Sequence, residues 1–514
     1  MAKCDKKQDN KTSFNTLKDD PDNLLDVVLA FNKEVDYTSL LNIILTKMME
    51  ITNSDAGTLY IIDGGKLHFR ILKNNSLNIF QIASSGEEAS LPPITLDKDN
   101  IENVSAYAAI HNKIIVIEDV YKSDRFNFAG PKNYDKMTGY RTRSMLVLPL
   151  VSFWEGDQEV LGVIQLLNSV NPQTGEPAPY DDISNPPATI ALSKIASNTL
   201  ANLTHMQEIH QLFHSFVTVI TQAMDERSPS TKDHTQNVSA YCKAFVEYLS
   251  NTFPPGHRYH FSKRHQERLV IAALLHDMGK ITTPVTILDK SSRLLPDRFN
   301  VIKHRLEIKR YQIEIDYLKG LISKEVCDNG SLLLTQAIQL IEHTNSSFKP
   351  LSDDEYTKLT RVAGFTFRDI DGNEMPIFDK ADVDSLLIRV GTLTAQERTV
   401  MQKHVEVTGR LLDQITFWKY YRDVPKWAKD HHEFLDGSGY PYGLKAEEIA
   451  LESCILTIMD IFEALTATNR PYRKAMPPHK ALEILQGMAD EGKLHKELVN
   501  IFEESKLWER LVGE

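Results

Sequence analysis

Apolar positions within residues 23–185 change from a helical to a strand-like period along the chain. Between Leu40 and Ile51 they recur every three or four residues, which predicts a helix with one buried face. Five short segments then follow the pattern of strands, and antiparallel strands with helices on one side predict an α+β domain. The predicted strands are Gly57–Ile62, Lys66–Leu72, Lys113–Ile117, Ser144–Pro149 and Val160–Asn168.

One long helix is predicted from Pro186-Pro187 to about Asp225. Its apolar residues step by threes and fours, which approximates the a/d seam of a coiled coil. We interpret residues 186–224 as a helical linker and a possible dimer seam; the alternative is a single amphipathic helix packed on its own domain. The stepping residues are Leu192, Ile195, Thr199, Leu203, Met206, His210, Phe213, Val217 and Ile220.

Residues 225–514 have almost only helical periodicity, which predicts an all-α domain. Residues from about 291 to 390 separate the chemical motifs described below, and they begin with a charged helix, so we interpret them as a mostly helical insertion. Within it, Asp369-Ile370-Asp371-Gly372-Asn373 predicts a hairpin turn, because the glycine comes too early for a calcium-binding loop. Residues 1–22 are polar and predict a disordered leader.

Composition narrows the classes of function. The net charge of −12 argues against a binder of nucleic-acid polymers, which needs a basic face to displace counterions. The sequence contains no apolar run of about 18 residues, so a membrane span is not predicted. The four cysteines have neither metal nor disulfide spacing, which fits a reducing compartment, and we expect the protein in the cytoplasm.

Two segments concentrate residues that bind divalent metals. The first is His276-Asp277-Met278-Gly279-Lys280, and the second begins at His431-His432 and continues to Gly439-Tyr440-Pro441. Imidazole and carboxylate suit Fe, Mn or Zn, whereas thiolate, which neither segment contains, would favour softer metals. The Asp277 carboxylate can bridge two ions, and the Lys280 ammonium can neutralise phosphate charge or assist a leaving oxygen.

Further ligands of the right type lie elsewhere in the chain. His234 starts a predicted helix, and Asp460 lies in an apolar helix where an unpaired carboxylate would be costly. His404 is preferred to His304, which has similar neighbours, because His404 follows the fuller motif Gly391-Thr392-Leu393-Thr394. Two ions about 3.5–4 Å apart would clamp a phosphodiester and make hydroxide available near neutral pH.

Taken in order, these segments resemble the HD-GYP domain, a subgroup of the HD phosphohydrolase superfamily that hydrolyses cyclic di-GMP. The match begins at Ala223 and ends at Arg473, interrupted by the insertion. The resemblance implies an all-α metallophosphodiesterase domain over residues 225–514, with two divalent ions, most often Fe or Mn, that forms linear pGpG and/or GMP. The implied metal ligands are His234, His276, Asp277, His404, His431, His432 and Asp460.

The resemblance also implies roles in catalysis and substrate binding. Asp277 and Lys280 are the implied catalytic residues. Cyclic di-GMP, or a related cyclic dinucleotide such as cyclic GMP-AMP, is the implied ligand, and a dianion of this kind needs local cations in an acidic protein. The implied substrate-binding residues are Lys280, Gly439, Tyr440, Pro441, Arg470 and Arg473.

Three departures from the HD-GYP pattern leave alternatives open. Ser230 replaces a glutamate that holds a third metal in some members, Asn237 replaces an arginine, and the insertion interrupts the domain. The alternatives are therefore a catalytically weak adaptor that binds a cyclic dinucleotide, or a hydrolase of a related cyclic dinucleotide. The third alternative is an HD hydrolase that acts on mononucleotides. The Gly439-Tyr440-Pro441 segment and Arg470 argue against it.

Residues 23–185 resemble a GAF domain. The run Asp135-Lys136-Met137-Thr138-Gly139-Tyr140-Arg141-Thr142-Arg143-Ser144 is similar to one found in the GAF domains of cyclic-nucleotide phosphodiesterases. The resemblance implies a sensory domain that regulates the phosphodiesterase in a homodimer, with a ligand that the sequence does not identify. The alternative is that Asp135 and the arginines only fix a loop and a strand.

Overall fold

The computed structural model describes residues 37–83, 92–97, 100–154, 156–180, 186–228, 233–345, 350–417, 419–467 and 475–511. The predicted leader, residues 1–22, lies outside these ranges. The chain divides into two compact units, Met1–Leu212 and Phe213–Glu514, and each is described by itself. Among the described helices, none combines the length and the apolar character that crossing a membrane requires.

The first unit is built on a seven-stranded antiparallel sheet. Its elements are α1 (Tyr37–Ile51), β1 (Ser54–Asp63), β2 (Lys66–Asn74), β3 (Ile79–Ile82), β4 (Ile94–Thr95), α2 (Val104–His111), β5 (Ile115–Ile117), α3 (Ala129–Thr138), β6 (Met145–Trp154) and β7 (Asp157–Ser169). The strand order is β3-β2-β1-β7-β6-β5, and β4 pairs with β2. Alternate residues of the strands enter two cores, one shared with α1 and the other with α2. The predicted α+β class is confirmed.

Asp135, the acidic residue of the GAF-like run, has a structural role in this unit. Its carboxylate is buried and accepts hydrogen bonds from the Thr142 backbone N–H and hydroxyl, each at 2.8 Å, and from the Tyr121 hydroxyl at 2.8 Å. The Arg141 guanidinium lies over the Tyr121 ring at 4.2 Å. These contacts hold α3 against the segment that leads into β6. A separate cavity of about 250 Å³ lies in the same unit, lined in part by Thr58 and Phe128.

Helix α4 (Pro186–Asp225) confirms the predicted long helix. The residues of the predicted seam differ in their surroundings. Leu192 is buried in the core of the first unit and Val217 in the core of the second, whereas Met206 is 66% exposed. The helix therefore uses part of the predicted seam to pack within its own units, and a dimer along it stays a prediction.

The second unit is mostly helical. Its large core joins residues of the helices before and after the insertion, such as Phe245, Leu275 and Phe462. The elements of this part are α5 (His234–Thr252), α6 (Lys263–Leu275), a 3-10 turn (Met278–Thr282), α7 (Val285–Leu288), α12 (Ala395–Leu412), α13 (Val424–Lys429), α14 (Leu451–Thr466), α15 (Pro478–Asp490), α16 (Lys496–Ser505) and α17 (Leu507–Arg510). The predicted all-α class is confirmed for this domain.

The insertion has a hydrophobic core of its own, which includes Leu306, Ile341 and Leu386. Its elements are α8 (Pro296–Leu318), α9 (Lys324–Asn345), α10 (Asp353–Ala363), β8 (Thr366–Arg368), β9 (Glu374–Pro376) and α11 (Lys380–Leu386). Strands β8 and β9 pair antiparallel, as the predicted hairpin turn requires. His304 is exposed on α8, which agrees with its assignment as an ordinary helix residue.

The two ends of the insertion are joined where it leaves the helical domain. The Lys290 ammonium is buried and lies 2.7 and 2.8 Å from the two carboxylate oxygens of Glu397. The Thr392 hydroxyl donates to the Lys290 carbonyl at 2.9 Å, and the Arg293 Nε–H donates to the Ile388 carbonyl at 2.8 Å. These contacts hold the first and last residues of the insertion together, and we call this junction the neck. The insertion can therefore fold as a separate lobe without displacing the helices on either side.

Candidate metal centre

The segment that carries His276 and Asp277 packs directly on helix α12. His276 ends helix α6, and the following 3-10 turn brings Gly279 so close to α12 that a Cβ there would lie 1.9 Å from the His404 carbonyl oxygen. The Gly279 N–H donates to the Thr408 hydroxyl at 2.8 Å, and that hydroxyl lies 3.1 Å from the His276 carbonyl. Only glycine permits this approach, so the turn places Asp277 beside the helix that carries His404.

The seven predicted metal ligands converge on one buried site. His234 begins α5, His404 lies in the middle of α12, His431 and His432 follow α13, and Asp460 lies in α14. The Thr457 hydroxyl donates to the His431 carbonyl at 2.8 Å and so fixes the histidine pair against α14. All seven are buried except His432, whose side chain is 23% exposed.

The Asp277 carboxylate lies at the centre, with a different group of histidines at each oxygen. Oδ2 lies 3.2 Å from Nε2 of His234 and 3.2 Å from Nε2 of His276. Oδ1 lies 3.2 Å from Nε2 of His404 and 4.0 Å from Nε2 of His431. Asp460 extends this arrangement, because its Oδ1 is 3.3 Å from the His234 Nε2 and its Oδ2 is 3.9 Å from the His432 Nδ1.

Three of the histidines present an unpartnered nitrogen to the centre. His276, His404 and His431 each hold Nδ1 at 2.6 Å from the carbonyl three residues earlier. A carbonyl only accepts, so Nδ1 carries the proton and Nε2 keeps its lone pair. All three Nε2 atoms, and Oδ1 of Asp277, are buried without a hydrogen-bond partner among the described residues. Buried acceptors without donors are costly, and metal ions would satisfy them.

At three of the predicted ligands, electrostatics favour the protonation states that metal binding needs, whereas at His234 the hydrogen bonds to carboxylates outweigh burial and raise the pKa well above its usual range. Burial lowers the pKa of His432 to about 3 and that of His431 well below its usual range, so both imidazoles are neutral at neutral pH. Burial opposes ionisation of Asp277, but Lys280 and the neighbouring histidines outweigh it and hold the pKa of that carboxyl well below its usual range. Neutral imidazoles and ionised carboxylates are the forms that coordinate metals.

Glu463 supports the site and was missed in the sequence. It is buried one turn after Asp460 in α14; its Oε2 accepts from the His234 Nδ1–H at 2.5 Å, and its Oε1 accepts from the Asn237 amide at 3.3 Å. The contact fixes the His234 tautomer with Nε2 directed to the centre. A second carboxylate on the same face of an apolar helix is the signal that could have identified it. Asn237, the departure noted above, is thus a partner of this glutamate.

The residues predicted to contact substrate lie beside the centre where the structure describes them. The Lys280 Nζ is 2.5 Å from the Asp277 Oδ2. The Tyr440 ring lies 4.8 Å from the His432 ring, in a loop that Gly439 allows to close on His432 and Glu433, and Pro441 follows in the same loop. Arg470 and Arg473 lie outside the described residues, as does Ser230.

Arg227 is a cation near the centre that sequence reasoning did not single out. Its guanidinium donates to the carbonyls of Lys280 and Ile281, so it braces the turn that follows Asp277. Arg227 lines a small recess together with Asp277 and Lys280. Its place in the segment Asp225-Glu226-Arg227, just before His234, gave no indication of this contact.

Comparison with protein families supports both predicted domains. A model described as "GAF domain" matches residues 36–184, and two models described as "HD domain" match residues 231–349 and 382–498. The first HD match ends and the second begins within the insertion, and neither covers residues 350–381. The crystal structure of a GAF domain/HD domain protein from Geobacter sulfurreducens aligns with 34% of this chain and 97% of its own, at 14% identity and a TM-score of 0.23.

Curated relatives share shorter segments. The chain is 41% identical over 103 residues to the 3'3'-cGAMP-specific phosphodiesterase 3 of Vibrio cholerae serotype O1, covering 20% of this chain and 22% of that protein. It is 37% identical over 122 residues to the cyclic di-GMP phosphodiesterase response regulator RpfG of Xanthomonas campestris pv. campestris, covering 23% and 31%. The chain thus spans less than a third of the length of each of these two relatives.

Proposed function

This chain joins a GAF domain to an HD domain, and we propose that it is a two-metal phosphodiesterase that hydrolyses a cyclic dinucleotide under the control of the GAF domain. The observation that carries the proposal is the position of Asp277. One carboxylate presents each of its oxygens to a different group of buried imidazoles, which is the arrangement that a bridging ligand needs.

The donor set divides into two groups around Asp277. His234, His276 and Asp460 would hold one ion with Oδ2, and His404, His431 and His432 would hold the other with Oδ1. Nitrogen and oxygen donors without thiolate favour Fe or Mn over softer metals. When bound, such ions polarise a phosphodiester and lower the pKa of a water molecule.

The remaining residues orient the substrate and balance its charge. The Lys280 ammonium contacts Asp277 and is partly exposed, so it can move to a phosphate oxygen of a bound dinucleotide and neutralise it. The Arg227 contacts keep the turn that presents Lys280 in place. The Tyr440 ring lies beside His432 and closes one side of the site, where it can contact a base or exclude water.

The substrate is proposed from the relatives. The names of the two relatives above specify 3'3'-cGAMP for one and cyclic di-GMP for the other. We therefore propose cyclic di-GMP or cyclic GMP-AMP as the substrate of this chain, with pGpG and/or GMP as the product in the first case. We also propose a cytoplasmic homodimer; the described cysteines Cys242, Cys327 and Cys454 are free thiols, as expected in a reducing compartment.

A second candidate is an adaptor that binds a cyclic dinucleotide but turns it over poorly. The amide of Asn237 favours it, because it contacts Glu463 at a position where an arginine would add a cation. The complete set of buried ligands argues for the enzyme, since an adaptor has no chemical need of all seven.

The test is hydrolysis of cyclic di-GMP and of cyclic GMP-AMP by protein purified anaerobically and loaded with Fe(II) or Mn(II). Asp277→Ala should abolish turnover, and Asp328→Ala, which changes an exposed aspartate of the insertion, should leave it unchanged. Metal and nucleotide binding without turnover would support the adaptor instead. Unchanged kinetics and oligomeric state after deletion of residues 1–185 would contradict regulation by the GAF domain.

A further inference from the structure

Helix α8 of the insertion has two apolar faces. One face is buried in the core of the insertion through Ile302 and Leu306, and Ile313 packs beside them. The opposite face is exposed, although a helix that contacts only its own domain normally has polar residues there. This exposed stripe consists of Val301 (38% exposed), Ile308 (43%), Tyr311 (55%), Ile315 (45%) and Leu318 (76%).

The spacing of the exposed stripe is that of a coiled coil. Val301, Ile308 and Ile315 are seven residues apart and occupy one heptad position, a. Tyr311 and Leu318 occupy the other, d, with His304 one heptad earlier. All three a residues are β-branched, a choice that favours two parallel strands when leucine occupies d, as it does at Leu318. The stripe is therefore suited to another helix with the same heptad pattern.

The charges beside the stripe favour a second copy of this helix in parallel orientation. Glu314 precedes an a position and Lys319 follows a d position, and both are exposed. In a parallel pair, Glu314 of one copy faces Lys319 of the other, and opposite charges meet on both sides. In an antiparallel pair, Glu307 of one copy would face Glu314 of the other, and like charges would repel.

We propose that the exposed stripe of α8 binds the same stripe of a second copy, as a parallel two-stranded coiled coil. The insertion is then a dimerisation element of the phosphodiesterase domain. The Lys290–Glu397 pair attaches this element to α12, the helix that carries His404. The contact is independent of the predicted seam on α4, which lies outside the insertion.

Cysteine crosslinking of the full chain tests the arrangement. The three described cysteines are buried, so the background is Cys4→Ser alone. In a parallel coil in register, identical d residues lie opposite each other. Leu318→Cys should therefore form a covalent dimer under mild oxidation, at micromolar protein. Arg310→Cys, exposed on α8 but away from the stripe, should form at least tenfold less.

The outcomes separate the possible partners. The coiled coil is supported if Leu318→Cys crosslinks and if adding Ile308→Lys and Ile315→Lys to that variant abolishes the crosslink. The metal content and melting temperature should stay unchanged. Crosslinking of Tyr311→Cys but not of Leu318→Cys would indicate antiparallel helices and overturn the proposal. Equal crosslinking of Arg310→Cys would overturn it, because the crosslinks would then not depend on the stripe. The absence of a crosslink at both stripe positions would also overturn it, because the two stripes would then not be in contact.

Discussion

Replacement of Gly279 by alanine tests how the two halves of the candidate metal centre are held together. The new Cβ would lie 1.9 Å from the His404 carbonyl oxygen and 2.7 Å from the Thr408 nitrogen. Both neighbours are backbone atoms of a helix, so a side-chain rotation cannot relieve the clash. A weak carbon–oxygen contact needs about 3.3 Å, and the turn and α12 must therefore separate by about 1.4 Å.

A separation of this size is large for a metal site. Ligand constellations have to be held within about 0.5 Å, and here Asp277 would move away from His404 while its distance to His276 changes little. Overpacking of this kind costs about 1–3 kcal/mol of folding stability. We therefore expect Gly279→Ala to fold less stably, to lose at least one of two bound ions, and to fall at least 100-fold in phosphodiesterase activity.

Metal content by mass spectrometry after loading with Mn(II), together with thermal unfolding, measures both effects. Gly487→Ala is the matched control, because a Cβ there would meet nothing within 4 Å in helix α15. That variant should keep its metal and become equally or slightly more stable, by up to about 1 kcal/mol. Wild-type metal content in Gly279→Ala would refute the reasoning, since the close approach would then be unnecessary for the site.

Three further substitutions address the surroundings of the centre. Glu463→Gln leaves a single oxygen to accept from both the His234 ring and the Asn237 amide, so His234 is held less firmly. Metal affinity, measured by competition with a chelating dye, should therefore fall by about 10–100-fold. Arg227→Lys removes the forked contact to two carbonyls, so it should lower kcat about tenfold with unchanged metal content. Lys290→Met leaves the partly buried Glu397 carboxylate without its cation, so it should lower the unfolding free energy by about 1–3 kcal/mol in urea melts.

Each of these substitutions has a control in the same protein. Glu452→Gln changes another histidine-bound carboxylate of α14, far along the helix from Asp460, and should not affect metal affinity. Arg410→Lys and Lys380→Met change exposed residues and should match the wild type. Equal effects in a variant and its control would mean that the loss is general rather than specific to the contact.

The sequence was sufficient to predict which side chains converge at the candidate metal centre, but not the residues that support them. His276-Asp277 and His431-His432 are visible as pairs, and Asp460 is conspicuous in an apolar helix. The contact of Glu463 with His234 depends on the packing of α14 against α5, which no local pattern encodes. The same holds for the seam on α4, where period alone could not separate residues that pack inward, such as Leu192, from exposed ones.

The insertion explains why two segments with similar sequences, ending at His304 and His404, lie in different surroundings. Arg298 with His304 and Arg398 with His404 stand at the same spacing in their helices, yet only His404 reaches the centre. Gly279 allows α12 to pack against the 3-10 turn that follows Asp277. Helix α8 instead begins within the insertion, after the junction that the Lys290–Glu397 ion pair closes. Because α8 packs in the core of the insertion and not at the candidate metal centre, the face that carries His304 is exposed, and the apolar stripe lies on that face. The position of His404 thus depends on Gly279, which lies within the first metal-binding segment, and on the Lys290–Glu397 ion pair, which lies outside both segments.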